Sequence, residues 1–150
     1  MQASDFMAQA FALAQQADPA EVPIAALIVD SKTQKIVSQS TNQCQQLSDP
    51  TAHAEMQVIR NATQKLQNKY LANCDLYVTV EPCAMCTAAI ALARLRRLYF
   101  GVAEPKYGAV ISNINFFATK SCHHKIEYYD GFMADEIAAF MKEFFKNKRD

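Results

Sequence analysis

The chain has 150 residues, with 15 Lys+Arg against 15 Asp+Glu, and is 51% hydrophobic and 20% charged. That fits one soluble globular domain, residues 1–150, with one core, and its zero net charge does not announce a nucleic-acid binder. No apolar run exceeds that of Ile24 to Val29, which is far too short for a bilayer, so no membrane role is expected.

The start, Met1 to Phe6, has neither a basic region nor a long apolar segment, so no secretory signal is expected. The five cysteines are an odd number and include one C-x-x-C pair. They fit a reducing compartment, with the cytoplasm as the expected location.

Phe6, Ala10, Leu13 and Ala14 recur at helical spacing, which predicts an amphipathic helix over 5–17 ended by Asp18-Pro19. Ile24 to Val29 reads as a strand buried on both faces. A polar turn, 30–35, joins it to a second strand, 36–41, as a hairpin. Ser48-Asp49-Pro50-Thr51 is a cluster of turn and cap residues before a predicted helix. Its buried face is expected to carry Ala52, Met56, Ile59 and Leu66, with His53 in its first turn.

Leu76, Val78 and Val80 alternate with Tyr77 and Thr79, which is strand periodicity. Pro82 suits the first position of a new helix reaching about Arg94. Strands are expected over 98–102 and 126–129. A closing helix over 133–146 is expected to turn Ile137, Phe140, Met141 and Phe144 inward. This order of elements predicts a mixed α/β sheet with helices on both faces and both helix starts, near 53 and 83, at one end.

Those two starts carry the chemistry. His53-Ala54-Glu55 and Pro82-Cys83-Ala84-Met85-Cys86 match the H-x-E…P-C-x-x-C signature of zinc-dependent nucleobase deaminases. Zinc takes nitrogen and sulfur ligands, and a catalytic site uses three protein ligands. His53, Cys83 and Cys86 make three, for one Zn2+ per subunit. Glu55 lies two residues from His53, close enough to move a proton on an activated water without binding metal. A helix N-terminus favours thiolate over thiol at Cys83 and Cys86. C-x-x-C alone would equally suit a structural zinc or a redox pair, but Glu55 has no task in a purely structural site.

Other features are less specific. Cys44 and Cys74 read as plain thiols. Cys122-His123-His124 suits a surface loop whose histidines touch substrate better than a second metal site. Arg94, Arg96 and Arg97 are either a solvated helix end or phosphate contacts. Phe144-Phe145 reads as core packing with one ring left free to stack on a base. Only three glycines occur, so there is no Gly-rich phosphate loop.

With these residues in view, the chain resembles the bacterial tRNA-specific adenosine deaminases, from about Glu21 to Arg149. The likeness runs through Glu21-Val22-Pro23-Ile24, Asn42, Asp49 to Glu55, Leu76 to Cys83, Tyr99-Phe100-Gly101, Pro105-Lys106, Gly108-Ala109 and Phe144-Phe145. It implies a three-layer αβα cytidine-deaminase-like fold with a mixed five-stranded sheet. It also implies a homodimer that converts adenosine to inosine at the wobble position of an arginine tRNA anticodon, by hydrolytic attack at C6 with Glu55 as proton shuttle.

By the same resemblance, Asn42 and the Ala54 N–H contact the flipped base. Glu104 and the loop to Ser112, Lys106, His123, Phe144, Phe145, Lys146 and Arg149 hold the anticodon stem-loop, with Lys148 as a further phosphate contact. Glu104 stands where the family usually has Asp, and Tyr107 and Ile111 are bulkier than the family's residues in that loop. The alternatives are a deaminase of free guanine or cytosine, and a non-catalytic RNA-binding partner subunit.

Overall fold

Burial at every position marks Cys74–Val80 as the centre of the protein. The computed structural model describes residues 1–149, the side chain of Arg149 excepted. In chain order the elements are α1 (Ala3–Gln15), β1 (Ala25–Asp30), β2 (Ile36–Thr41), α2 (Ala54–Leu66), β3 (Cys74–Val80), α3 (Ala84–Leu92), β4 (Arg97–Val102), a 3₁₀ turn at Phe116–Ala118, β5 (Glu127–Tyr129) and α4 (Ala134–Arg149).

The strand order is β2-β1-β3-β4-β5. The β1–β2 hairpin and the β1–β3 pair are antiparallel, while β3–β4 and β4–β5 run parallel. This is the expected three-layer αβα fold with a mixed five-stranded sheet. No helix of the described residues is long and apolar enough to cross a membrane.

Two apolar clusters sandwich the sheet. Ala54, Val58, Ala62 and Ile90 pack α2 and α3 onto Leu76, Val78, Leu98 and Phe100. On the other face, Phe6, Met7, Ala10 and Phe11 of α1 and Ile137 of α4 cover Leu27, Tyr77 and Tyr99. Each large side chain removed from water in this way contributes about 1.5–3 kcal/mol. Tyr77 and Thr79 are therefore as buried as the residues they alternate with, because β3 has a helical layer on each side. The Thr79 hydroxyl meets its hydrogen-bonding need by accepting from the Ala25 N–H at 3.3 Å.

Several expected boundaries move. Helix α1 starts and ends two residues earlier than periodicity suggests, and Leu13 is only half-buried. The fully buried residues of α2 are Ala54, Glu55, Val58 and Ala62; of the expected face, Ala52 is buried just before the helix, Ile59 packs partly on the core, Met56 is half-buried and Leu66 is exposed. Small side chains at i, i+4 and i+8 let the helix axis approach the sheet closely, which the larger residues would prevent. Helix α3 stops at Leu92, and Arg94 turns the chain with φ 55°.

His53 is the N-cap of α2, one position before its first turn, and Cys83 is the N-cap of α3, so Pro82 precedes the cap. Neither residue uses its side chain to cap its helix. Both side chains are thereby free to turn towards each other.

Candidate active site

The parallel pair β3–β4 ends where α3 begins, and ligands of α/β sheets gather at such carboxyl ends. Cys83 caps α3 there and Cys86 lies in its first turn, while α2 brings His53 alongside. His53 Nδ1 is 3.6 Å from Cys83 Sγ and 3.5 Å from Cys86 Sγ. The three donor atoms lie within 4.8 Å of one another.

Ligands at about 2.05 Å (nitrogen) and 2.3 Å (sulfur) across a tetrahedral angle stand about 3.6 Å apart. The spacing and the one-nitrogen, two-sulfur donor set therefore both fit zinc, with three protein ligands as in a catalytic site.

The electrostatics of the cluster are those of a site made for a cation. The hydrogen bond from the Cys86 thiol holds Cys83 down to about 4, helped by His53. The same contact, with burial, drives Cys86 well above the ordinary thiol range. The His53 ring is raised by its hydrogen bond to Cys83, against burial. The lowered Cys83 thiol and the raised His53 ring share a proton between them, and a divalent cation would take its place.

Glu55, in the first turn of α2, is 4% exposed. Burial pushes its carboxyl up to about 7, with the Cys83 charge adding and His53 opposing. A group that ionises near neutral pH both accepts and returns a proton readily.

The first N–H of α2, on Ala54, has no partner within the helix and must find one elsewhere. Asn42 provides it: its Oδ1 accepts the Ala54 N–H at 2.7 Å. The two groups expected to read the base are thus bonded to each other, so the Asn42 side chain sits at the rim of the site with its carbonyl committed to α2.

Sequence reasoning missed the residue that holds this rim. Glu21 is 2% exposed, and its carboxylate accepts the backbone N–H groups of Gln45 and Gln46 at 2.9–3.0 Å. This ties down the segment that follows Asn42. Its place at the head of Glu21-Val22-Pro23-Ile24, where the family likeness begins, carries no sign of this role.

Farther out, the Glu104 carboxylate accepts the Tyr107 N–H within its own loop, while Lys106 and Tyr107 are exposed. Phe145 is 43% exposed and Phe144 half-buried, with ring centroids 5.2 Å apart. Lys146 is exposed beside them, and the Arg149 side chain lies outside the described residues.

His123 is exposed and His124 is not its equal, because the His124 ring meets the Leu95 carbonyl at 3.1 Å. Both histidines line a cleft of about 610 Å³ with Tyr70, Leu92, Arg94 and Phe116. The arginine cluster has structural tasks. Arg96 pairs with Asp75 at 2.7 Å and Arg97 with Glu127 at 2.9 Å, while Arg94 lies over the Tyr70 ring at 4.2 Å.

Comparisons with known proteins agree with this geometry. The model of the cytidine and deoxycytidylate deaminase zinc-binding region matches residues 1–102. The tRNA-specific adenosine deaminase of Rickettsia bellii is 47% identical over 130 residues, covering 87% of this chain and 90% of that protein. That of Agrobacterium fabrum is also 47% identical, covering 86% and 84%. A solved structure from studies of A-to-I editing by deaminases at the wobble position of transfer RNA superposes with a TM-score of 0.86. It is 44% identical and covers 91% of this chain and 98% of its own.

Proposed function

The chain belongs to the cytidine and deoxycytidylate deaminase zinc-binding family and is a zinc-dependent deaminase, and on that premise we propose that it converts adenosine to inosine at the wobble position of a tRNA anticodon. The observation that carries the chemistry is the buried Glu55 beside a three-donor cluster. The identity of 47% to tRNA-specific adenosine deaminases supports the substrate.

His53, Cys83 and Cys86 would hold the zinc. The metal supplies Lewis acidity there, which makes water nucleophilic at neutral pH. Glu55 takes one proton of the water that adds at C6 and passes it to the ring nitrogen, then takes the proton of the resulting C6 hydroxyl and gives it to the departing amine. The C6–N bond breaks, a carbonyl forms, and ammonia leaves. One carboxylate serves as base and then acid, which suits a pKa near 7.

Asn42 orients the base from the rim through its amide. Lys106, Lys146 and Arg149 meet phosphates, Phe144 and Phe145 offer stacking surface, and Glu104 and His123 hold flanking nucleotides. By resemblance the tRNA is an arginine tRNA, the protein works in the cytoplasm, and it is a homodimer. Leu92, 77% exposed at the end of α3 in the cleft with Tyr70 and Phe116, supports a covered face there. Sedimentation should find a species of twice 16.8 kDa.

The deciding assay gives the zinc-loaded protein an anticodon stem-loop, free adenosine, guanine and cytosine at equal concentration. Inosine in the stem-loop, with little turnover of the others, is the expected result. Equal turnover of a free base would make the protein a free-base deaminase. Zinc bound without any turnover would make it an RNA-binding partner subunit.

A further inference from the structure

Glu81 sits between β3 and the Cys83 ligand, and it is 4% exposed. A carboxylate removed from water needs compensation. Among the described residues no Lys, Arg or His forms an ion pair with it. Its partners are instead backbone groups of the segment that follows β4. The Glu104 N–H donates to Oε1 at 2.9 Å. The N–H groups of Val110, Ile111 and Ser112 donate to Oε2 at 3.1, 2.8 and 3.0 Å. The Ser112 hydroxyl donates to Oε1 at 2.5 Å. Both ends of the 104–112 loop are therefore gathered on one buried anion, through charge-assisted bonds of the stronger class.

The middle of the loop closes on the same residue. A Cβ on Gly108 would lie 2.3 Å from the Glu81 carboxyl carbon, so only glycine allows this approach. Gly108 bridges to Cys83, and the Ala109 N–H donates to the Pro82 carbonyl at 2.9 Å. The Asn113 amide donates to the carbonyls of Gly108 and Pro105 at 2.8 and 3.2 Å, locking the turn from the other side. With the backbone turned inward, Lys106, Tyr107 and Ile111 are left exposed on its outer surface.

We propose that Glu81 is a positioning residue for substrate: its carboxylate moulds the 104–112 loop against the Cys83 segment and thereby sets the RNA-facing side chains at a fixed height above the site. The substrate half of this proposal rests on the RNA reading above. Glu81 itself touches neither substrate nor metal. It fixes the loop to the same three-residue stretch that supplies a zinc ligand, so the outer contacts and the reacting centre share one reference point.

Glu81→Gln tests this in the zinc-loaded full chain. Glutamine keeps the shape but offers one acceptor oxygen, and its NH₂ then faces N–H groups. Hydrogen exchange at Glu104, Val110, Ile111 and Ser112 should accelerate by at least about tenfold, with the amides of β3 and β1 unchanged and zinc at one per subunit. For the stem-loop, KM should rise by about tenfold or more while kcat moves far less.

Gly108→Ala is the second probe and acts on the same contact by sterics. It should raise KM alike, and combined with Glu81→Gln the effect should fall well short of the product of the two. Unchanged protection of the loop amides in both variants would overturn the proposal, as would an unchanged KM on a stem-loop that the parent turns over. A parent that does not act on the stem-loop at all would instead defeat the RNA reading, and the exchange measurement alone would then decide whether Glu81 holds the loop.

Discussion

The inner and outer halves of the site are built in opposite ways. Inside, the site is made of side chains: His53, Cys83, Cys86 and Glu55 converge from two helix starts. Outside, backbone is organised by buried carboxylates, Glu21 under the 43–47 segment and Glu81 under the 104–112 loop, and side chains project to solvent. On the proposed function, the inner half would specify the reaction and the outer half the substrate. Substitutions should therefore separate cleanly, inner ones striking metal and kcat, outer ones striking affinity and salt dependence.

Cys83→Ala should have the largest effect. With one of three ligands gone, zinc content should fall far below one per subunit and turnover to background. The unfolding free energy should drop by several kcal/mol, because bound metal favours the folded state. Elemental analysis beside a denaturant titration checks both.

A second experiment isolates the buried Glu55 in metal-free protein. Its folded-state pKa of about 7 lies above its ordinary 4.5. Neutral Glu55 therefore favours folding at low pH, and that advantage is lost as pH rises through 7. The stability of the parent relative to Glu55→Gln should be level below pH 4.5. It should then fall with rising pH by about 3 kcal/mol and level off above 7. A difference that is flat from pH 4 to 8 would mean the carboxyl is not held protonated by burial.

The outer half should respond more mildly. Phe145→Ala should leave zinc and fold intact and raise the stem-loop KM by about tenfold, since stacking one base is worth about 1–3 kcal/mol. Lys106→Ala should be weaker, a few-fold loss of affinity with the salt slope reduced by about one, measured by titrating stem-loop binding against salt.

The same division explains what the sequence made visible. Coordination chemistry permits few residue types, so His53, Cys83, Cys86 and Glu55 stand out at their spacing, and the structure brings them together. Periodicity, apolar runs and turn residues likewise locate the five strands and four α-helices to within a few residues, while the 3₁₀ turn at Phe116–Ala118 leaves no such pattern. The face of α2 is legible only in part, at Ala52 and Ile59, because its closest packing uses Ala54, Val58 and Ala62, whose modest size hides their burial from a reading weighted by hydrophobic bulk. Helix periodicity does not fix the first residue of a helix, so His53 stands at the N-cap and not in the first turn, with Asn42 holding the first helical N–H. Glu21 and Glu81 were missed for a further reason. An acid that receives backbone N–H groups from distant residues has no charged partner whose spacing would betray it.

The claim that the inner half carries the reaction is tested most directly by Glu55→Gln in zinc-loaded protein, with zinc content, stem-loop affinity and kcat measured on one preparation. Glutamine preserves the shape of the side chain but cannot take or return the proton. Zinc should remain at one per subunit, affinity should stay near that of the parent, and kcat should fall by at least a factor on the order of 100. A kcat near that of the parent with full zinc would contradict the account, because the reaction would then proceed without Glu55 as its proton shuttle.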